Sequence, residues 1–220
     1  MHAPRVWVLP GMGADSRIFR SIKFPWPATF LEWISPEPDE SLESYADRML
    51  SGHNIQSNDL LFGYSFGGIV AQEWASKNEV QRVVLLNSLH HKAKVRPLFR
   101  RLANTKVLDW APQGYIRSLI FFMARLNSKP SRHLDLILEV MEQFDCDYYR
   151  WVLRQVLNWS HSKPSCPVDF IQGEFDPVFP TFHKEDPRTW ILKGATHLSF
   201  QTHGSEISAL LKEKVDPVLL

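Results

Sequence analysis

Cysteine is scarce in this chain: two residues, Cys146 and Cys166, among 220. Two thiols cannot build a disulfide framework, and no cluster of other ligands accompanies them, so neither a stapled secreted domain nor a bound metal is expected. Thiols of this kind suit a reducing compartment, and a cytoplasmic location is expected. Long apolar runs are missing too. The longest patch, "SLIFFMA" at 118–124, is far too short to span a bilayer. The opening "MHAPRVWVLPGMG" lacks a basic region followed by an apolar stretch, so no signal peptide and no membrane association are expected. The chain as a whole has almost no net charge, +1, which argues against nucleic acid as a partner. No G-K-[ST] follows either glycine-rich turn, which argues against a phosphate cradle and a nucleotide cofactor. Neither internal repeats nor low-complexity tracts occur.

What is present is an ordinary globular composition, 44% hydrophobic and 22% charged, in a length suited to one domain with an insertion. Short β-rich runs alternate with helical patterns. "RVWVLP", "ATFLEWI", "DLLFGY", "QRVVLLNS", "VDFIQG" and "TWILKG" read as strands. Between them lie a short helix capped by Asp15 or Ser16, a helix with Leu42, Tyr45, Ala46 and Met49 on one face, and "GGIVAQEWASKN"; "SEISALLKEKV" closes the chain. This rhythm predicts an α/β fold: a doubly wound, mainly parallel sheet with helices on both faces. Residues 89–163 interrupt it with helical segments broken at Pro97, Pro112 and Pro130. The expected division is therefore a core of 1–88 and 164–220, with a helical cap, 89–163, laid over the carboxyl ends of the strands. Ligands bind at those ends in open α/β sheets.

Directly after one strand and before a helix stands Gly63-Tyr64-Ser65-Phe66-Gly67. The pattern G-x-S-x-G in that context lifts a serine hydroxyl above the sheet on a sharp, strained turn, where side chains two residues either side would collide. The structural alternative is a glycine-rich turn that only permits close packing. A serine hydroxyl needs a histidine to take its proton, and the histidine needs a carboxylate to fix its tautomer. Of nine histidines, His197 in "KGATHLSF" leaves the last strand at its carboxyl end, with His203 as a rival and His90 and His91 at another strand end. "VDFIQGEFDPVFP" supplies the acid, Asp176 or Glu174, beyond the end of its strand; Pro177 and Pro180 stiffen the Asp176 side of that loop.

In the order Ser65, Asp176, His197, the segments "GYSFGG", "GEFDPVFP" and "GATHLSF" resemble the three signature segments of the α/β-hydrolase superfamily. The resemblance extends over essentially the whole chain, with the family's first antiparallel strands falling before residue 1. It implies a serine hydrolase acting on an ester or acyl thioester through an acyl-enzyme. Backbone N–H groups of Phe66 and Met12 would then hold the oxyanion. Many relatives read His-Gly in the loop after the first strand, where this chain has Pro10-Gly11. The same fold also hosts carbon–carbon bond hydrolases, cofactor-free peroxidases and lyases, and a hydrolase scaffold can serve as a non-catalytic binding protein.

Charge is unevenly spread. Lys92 to Arg132 carries ten basic residues against Asp109 alone, a local charge of +9 in a chain of +1. A solvated basic face is one reading; a steering surface for an acidic acyl carrier protein or coenzyme A is the other. Carrier-bound pimeloyl methyl ester esterases resemble this chain in having a helical cap over such a sheet. Trp110, Phe122, Trp151 and Trp159 are candidates to line an acyl pocket, or to pack the cap onto the core.

Overall fold

The six apolar runs become the strands of one sheet in the computed structural model, which describes residues 3–90, 139, 146–160, 162–179 and 186–215. They are β1 (Val6–Leu9), β2 (Ala28–Phe30), β3 (Leu60–Tyr64), β4 (Arg82–Leu86), β5 (Val168–Gly173) and β6 (Thr189–Leu192). All pair in parallel, in the order β2-β1-β3-β4-β5-β6. β1, β3 and β4 are buried along their whole length, which is why they read as unbroken Val/Leu/Phe runs instead of alternating ones.

Helices cover both faces. On one side α1 (Leu42–Leu50), α2 (Phe66–Ala75) and α3 (Cys146–Asn158) pack together, Trp151 of α3 standing 4.5 Å from Tyr45 and 6.1 Å from Phe66 between ring centroids. α1 starts at Ser41, whose hydroxyl accepts from Ser44 N–H, and buries Leu42, Tyr45, Ala46 and Met49 as its spacing predicts. α2 is buried all round, its two polar side chains Gln72 and Glu73 included, and both are hydrogen-bonded. The other face carries a 3-10 turn at Ser16–Phe19, the single turn α4 (Ser199–Thr202) and α5 (Gly204–Leu210), continued by a π turn at Leu211–Val215. Phe62 and Tyr64, two apart on β3, both point there and pack on Phe19; Phe24 meets Phe62 and Phe200 meets Tyr64.

Three elements are shorter than their sequence pattern. The first helix reduces to one 3-10 turn, capped by Asp15, which accepts from Arg17 N–H. β2 stops at Phe30 because Trp33, apolar enough to extend it, instead turns inward so that its indole N–H bonds Gly11 O at 2.8 Å. The terminal helix is α-helical only over Gly204–Leu210 and ends in the π turn at Leu211–Val215. The expected cap falls largely outside the described residues; its described part is chiefly α3, whose contacts run to α1, α2 and the loop after β1. No helix among the described residues is long and apolar enough to cross a membrane.

The strand order places a switch point at β1 and β3, since the chain leaves β1 toward β2 and returns to β3 on its other side. In open α/β sheets ligands bind at such a switch point, outside the carboxyl edge of the strands.

Candidate active site

Ser65 occupies that edge, between the last residue of β3 and the first of α2. Its backbone sits at φ 53°, ψ −120°, a left-handed conformation that costs on the order of 1–3 kcal/mol for a residue with a side chain. The surroundings enforce it. Ser65 N–H donates to Leu86 O at 3.0 Å, while Ser65 O accepts from Gly68 N–H at 3.0 Å and from the Ser88 hydroxyl at 2.6 Å. The flanking glycines are required by close approach, though not to the serine itself. A Cβ on Gly63 would stand 2.5 Å from Gly68 N, and one on Gly67 would stand 2.5 Å from Leu9 O. Strand, helix and the neighbouring loop are jammed together, and hydrogen is all that fits.

The structure brings the three predicted side chains into one hydrogen-bonded chain. His197 Nε2 lies 3.0 Å from Ser65 Oγ, and His197 Nδ1 lies 2.8 Å from Asp176 Oδ2. Asp176 is buried, and both of its oxygens are engaged. Oδ2 also accepts from Gln172 Nε2 at 3.0 Å, and Oδ1 accepts from the N–H groups of Val178 and Phe179 at 2.8 and 3.0 Å. An acceptor-only carboxylate so held requires the proton on Nδ1, leaving the Nε2 lone pair toward the serine hydroxyl. Tyr64 and Phe179 wall the imidazole at 5.4 and 5.6 Å, and the Tyr64 hydroxyl donates to His197 O at 3.2 Å. Burial, followed by the charge of Asp176, holds that phenol well above its ordinary pKa, so it stays a neutral donor.

The open alternatives separate cleanly. Glu174 is exposed and accepts from Gly194 N–H at 2.9 Å. His203 bonds the Thr202 hydroxyl and Lys193 O. His90 is buried 4.2 Å from the ring of Phe170. None of these contacts is to Ser65.

Phe66 opens α2, where a backbone N–H has no acceptor within the helix. Met12 is a central residue of the turn closed by Ala14 N–H to Gly11 O at 3.0 Å, and that turn abuts the serine: a Cβ on Gly11 would reach 3.4 Å from Ser65 Cβ. Trp151 and Trp159 are buried, their indole N–H groups donating to Glu40 O and to Glu73 Oε2, both at 2.8 Å. Trp110, Phe122 and the basic stretch 92–132 lie outside the described residues.

Sequence reasoning missed Asn87 and Ser88. They directly follow β4, and the only signal was a polar pair closing the apolar run "VVLL".

No protein-family model matches the sequence, and no curated protein matches it. Solved structures do. An esterase from Exiguobacterium antarcticum superposes with a TM-score of 0.76 at 12% identity, over 97% of this chain and 92% of its own. A thermophilic esterase from Thermogutta terrifontis gives 0.73 at 16%, over 99% and 91%. A Bacillus megaterium epoxide hydrolase gives 0.66 at 14%, over 98% and 94%. The fold is that of the α/β-hydrolases.

Proposed function

We propose that this protein is a serine hydrolase cleaving carboxylic esters or acyl thioesters, and that Ser65, His197 and Asp176 form its catalytic triad. One observation carries the reading: the unbroken Ser65–His197–Asp176 chain, at 3.0 and 2.8 Å, on the carboxyl edge of the sheet. His197 accepts the hydroxyl proton as Ser65 Oγ attacks the acyl carbon, then returns it to the leaving group. Asp176 orients the imidazole and stabilises its protonated form. The N–H groups of Phe66 and Met12 take the negative oxygen of the tetrahedral intermediate. Water, deprotonated by His197, attacks the acyl-enzyme and releases the acid. Two structural neighbours, from Exiguobacterium antarcticum and Thermogutta terrifontis, are esterases, which supports the ester class.

Carrier- or coenzyme-linked acyl groups, steered by the basic stretch 92–132, are the substrates this reading favours. A fluorophosphonate probe and a series of p-nitrophenyl esters of graded chain length test the chemistry. Labelling confined to Ser65 and turnover abolished in Ser65→Ala are expected; an unlabelled but folded protein sinks the proposal. Turnover of thioesters that weakens with salt is expected of the basic stretch, and salt-independent kinetics would remove that role.

A further inference from the structure

The three loops that meet at the site are far apart in the chain, and something must hold them in register. Asn87 sits where they converge. It is fully buried just after β4, in the left-handed region at φ 44°, a conformation that asparagine tolerates better than most residues. Its backbone N–H donates to Ile171 O at 2.9 Å, continuing the ladder to β5. Its side-chain oxygen accepts from Gly173 N–H at 2.7 Å. Gly173 ends β5, and its own carbonyl takes Asp176 N–H at 3.3 Å, so this bond fixes the base of the Asp176 loop.

The amide nitrogen faces the other way. Its two hydrogens are shared among His197 O at 2.6 Å, Ser199 Oγ at 2.8 Å and Thr196 O at 3.0 Å. The orientation of the amide is not ambiguous: only an oxygen can take the Gly173 N–H, and only the nitrogen can serve two carbonyls. The adjacent Ser88 completes the arrangement through its bond to Ser65 O at 2.6 Å. Two consecutive residues thus touch all three loops.

We infer that Asn87 is a positioning residue for the triad: its amide pins the His197 backbone and the start of the Asp176 loop at a fixed spacing, so that the imidazole meets both partners. Asn87 touches no reacting atom. It acts through the backbone of His197, and the inference rests on the triad reading above.

The imidazole is held from the carboxylate side by Asp176, flanked by Tyr64 and Phe179, and tied through its own carbonyl to Asn87 and the Tyr64 hydroxyl. Removing the amide leaves the phenol as the one remaining side-chain donor on that carbonyl among the described residues. A shift approaching 1 Å at a reacting group lowers a rate by up to about 10²-fold.

The test compares wild type with Asn87→Gly, which keeps the left-handed backbone, and Asn87→Asp, which keeps an acceptor for Gly173 N–H but loses the amide donors. Steady-state kinetics are normalised to sites titrated by the fluorophosphonate. Expected for both variants is a fall in kcat of roughly 10- to 100-fold with KM within about 2-fold. The fluorophosphonate labelling rate should fall in parallel, and the downfield Nδ1–H proton resonance of the His197–Asp176 pair should be lost. Unchanged kcat per titrated site and an intact resonance, with only a lower melting temperature, would overturn the inference and leave Asn87 a packing residue. Should the glycine variant fail to fold, the nearly isosteric aspartate variant carries the same readout. An unlabelled wild type is a different result: it removes the triad reading itself, and with it this role for Asn87.

Discussion

Both ends of the sheet bury polar side chains, and they use them in opposite ways. At the amino ends of the strands the buried carboxylates Asp59 and Asp169 are tied to partners on neighbouring segments. Asp59, fully buried, accepts from Trp7 Nε1 at 2.9 Å and from the N–H groups of Arg5 and Gln56, both at 3.0 Å. Burial alone would raise its pKa, but these bonds outweigh it and keep the carboxyl below its ordinary value. One strand over, Arg82 and Asp169 face each other at 2.7 Å between β4 and β5. At the carboxyl ends the chain of contacts stays open. It runs from Asp176 through His197 to a half-buried hydroxyl on a strained turn. Tied carboxylates of this kind contribute to stability and register; an open chain of contacts leaves a proton with somewhere to go.

Substitutions at the two ends should therefore separate activity from stability. The largest effect belongs to Ser65→Ala, which should lower kcat by at least about 10⁴-fold while leaving the melting temperature within about 2 °C, read by ester turnover and thermal unfolding. Asp176→Asn should follow, at roughly 10³- to 10⁴-fold in kcat with KM little changed, because the amide no longer dictates the tautomer. At the opposite end Arg82→Met should leave kcat alone but cost about 3–5 kcal/mol in denaturant unfolding, by stranding Asp169; adding Asp169→Leu should restore most of that. Loss of turnover without loss of stability in the Arg82 variant would erase the contrast.

The smallest effect is one of pH. The Arg48 guanidinium, bonded at 2.8 Å, holds the Glu40 carboxyl below its ordinary value despite burial. A lowered folded-state value stabilises the protein above the unfolded carboxyl pKa, and the gain is lost as pH falls through the folded one. Glu40→Gln should thus cost about 1 kcal/mol at neutral pH, with the difference shrinking below about pH 4.5.

Much of this was legible in the residues. Six strands, their parallel pairing and the serine turn followed from apolar runs and glycine spacing, since both are local consequences of backbone sterics. Asking which residues lay beyond a strand's carboxyl end narrowed the acid to Asp176 or Glu174 and the base to His197, with His203, His90 and His91 as rivals. Separating Asp176 from Glu174 needed coordinates, because neighbours in one loop point to opposite sides. Asn87 was invisible for a related reason: its side-chain partners lie 86 to 112 residues away, and nothing local distinguishes it from a strand-ending polar residue.

Ser65 and His197 are separated by 132 residues, and the histidine enters the sheet only behind β6, its final strand. Under the triad reading, a growing chain exposes its serine turn long before it owns a base, and the hydroxyl stays inert until the carboxy-terminal strand docks. Recovery of turnover during refolding would then time that last docking event, which a spectroscopic probe of helix content would miss.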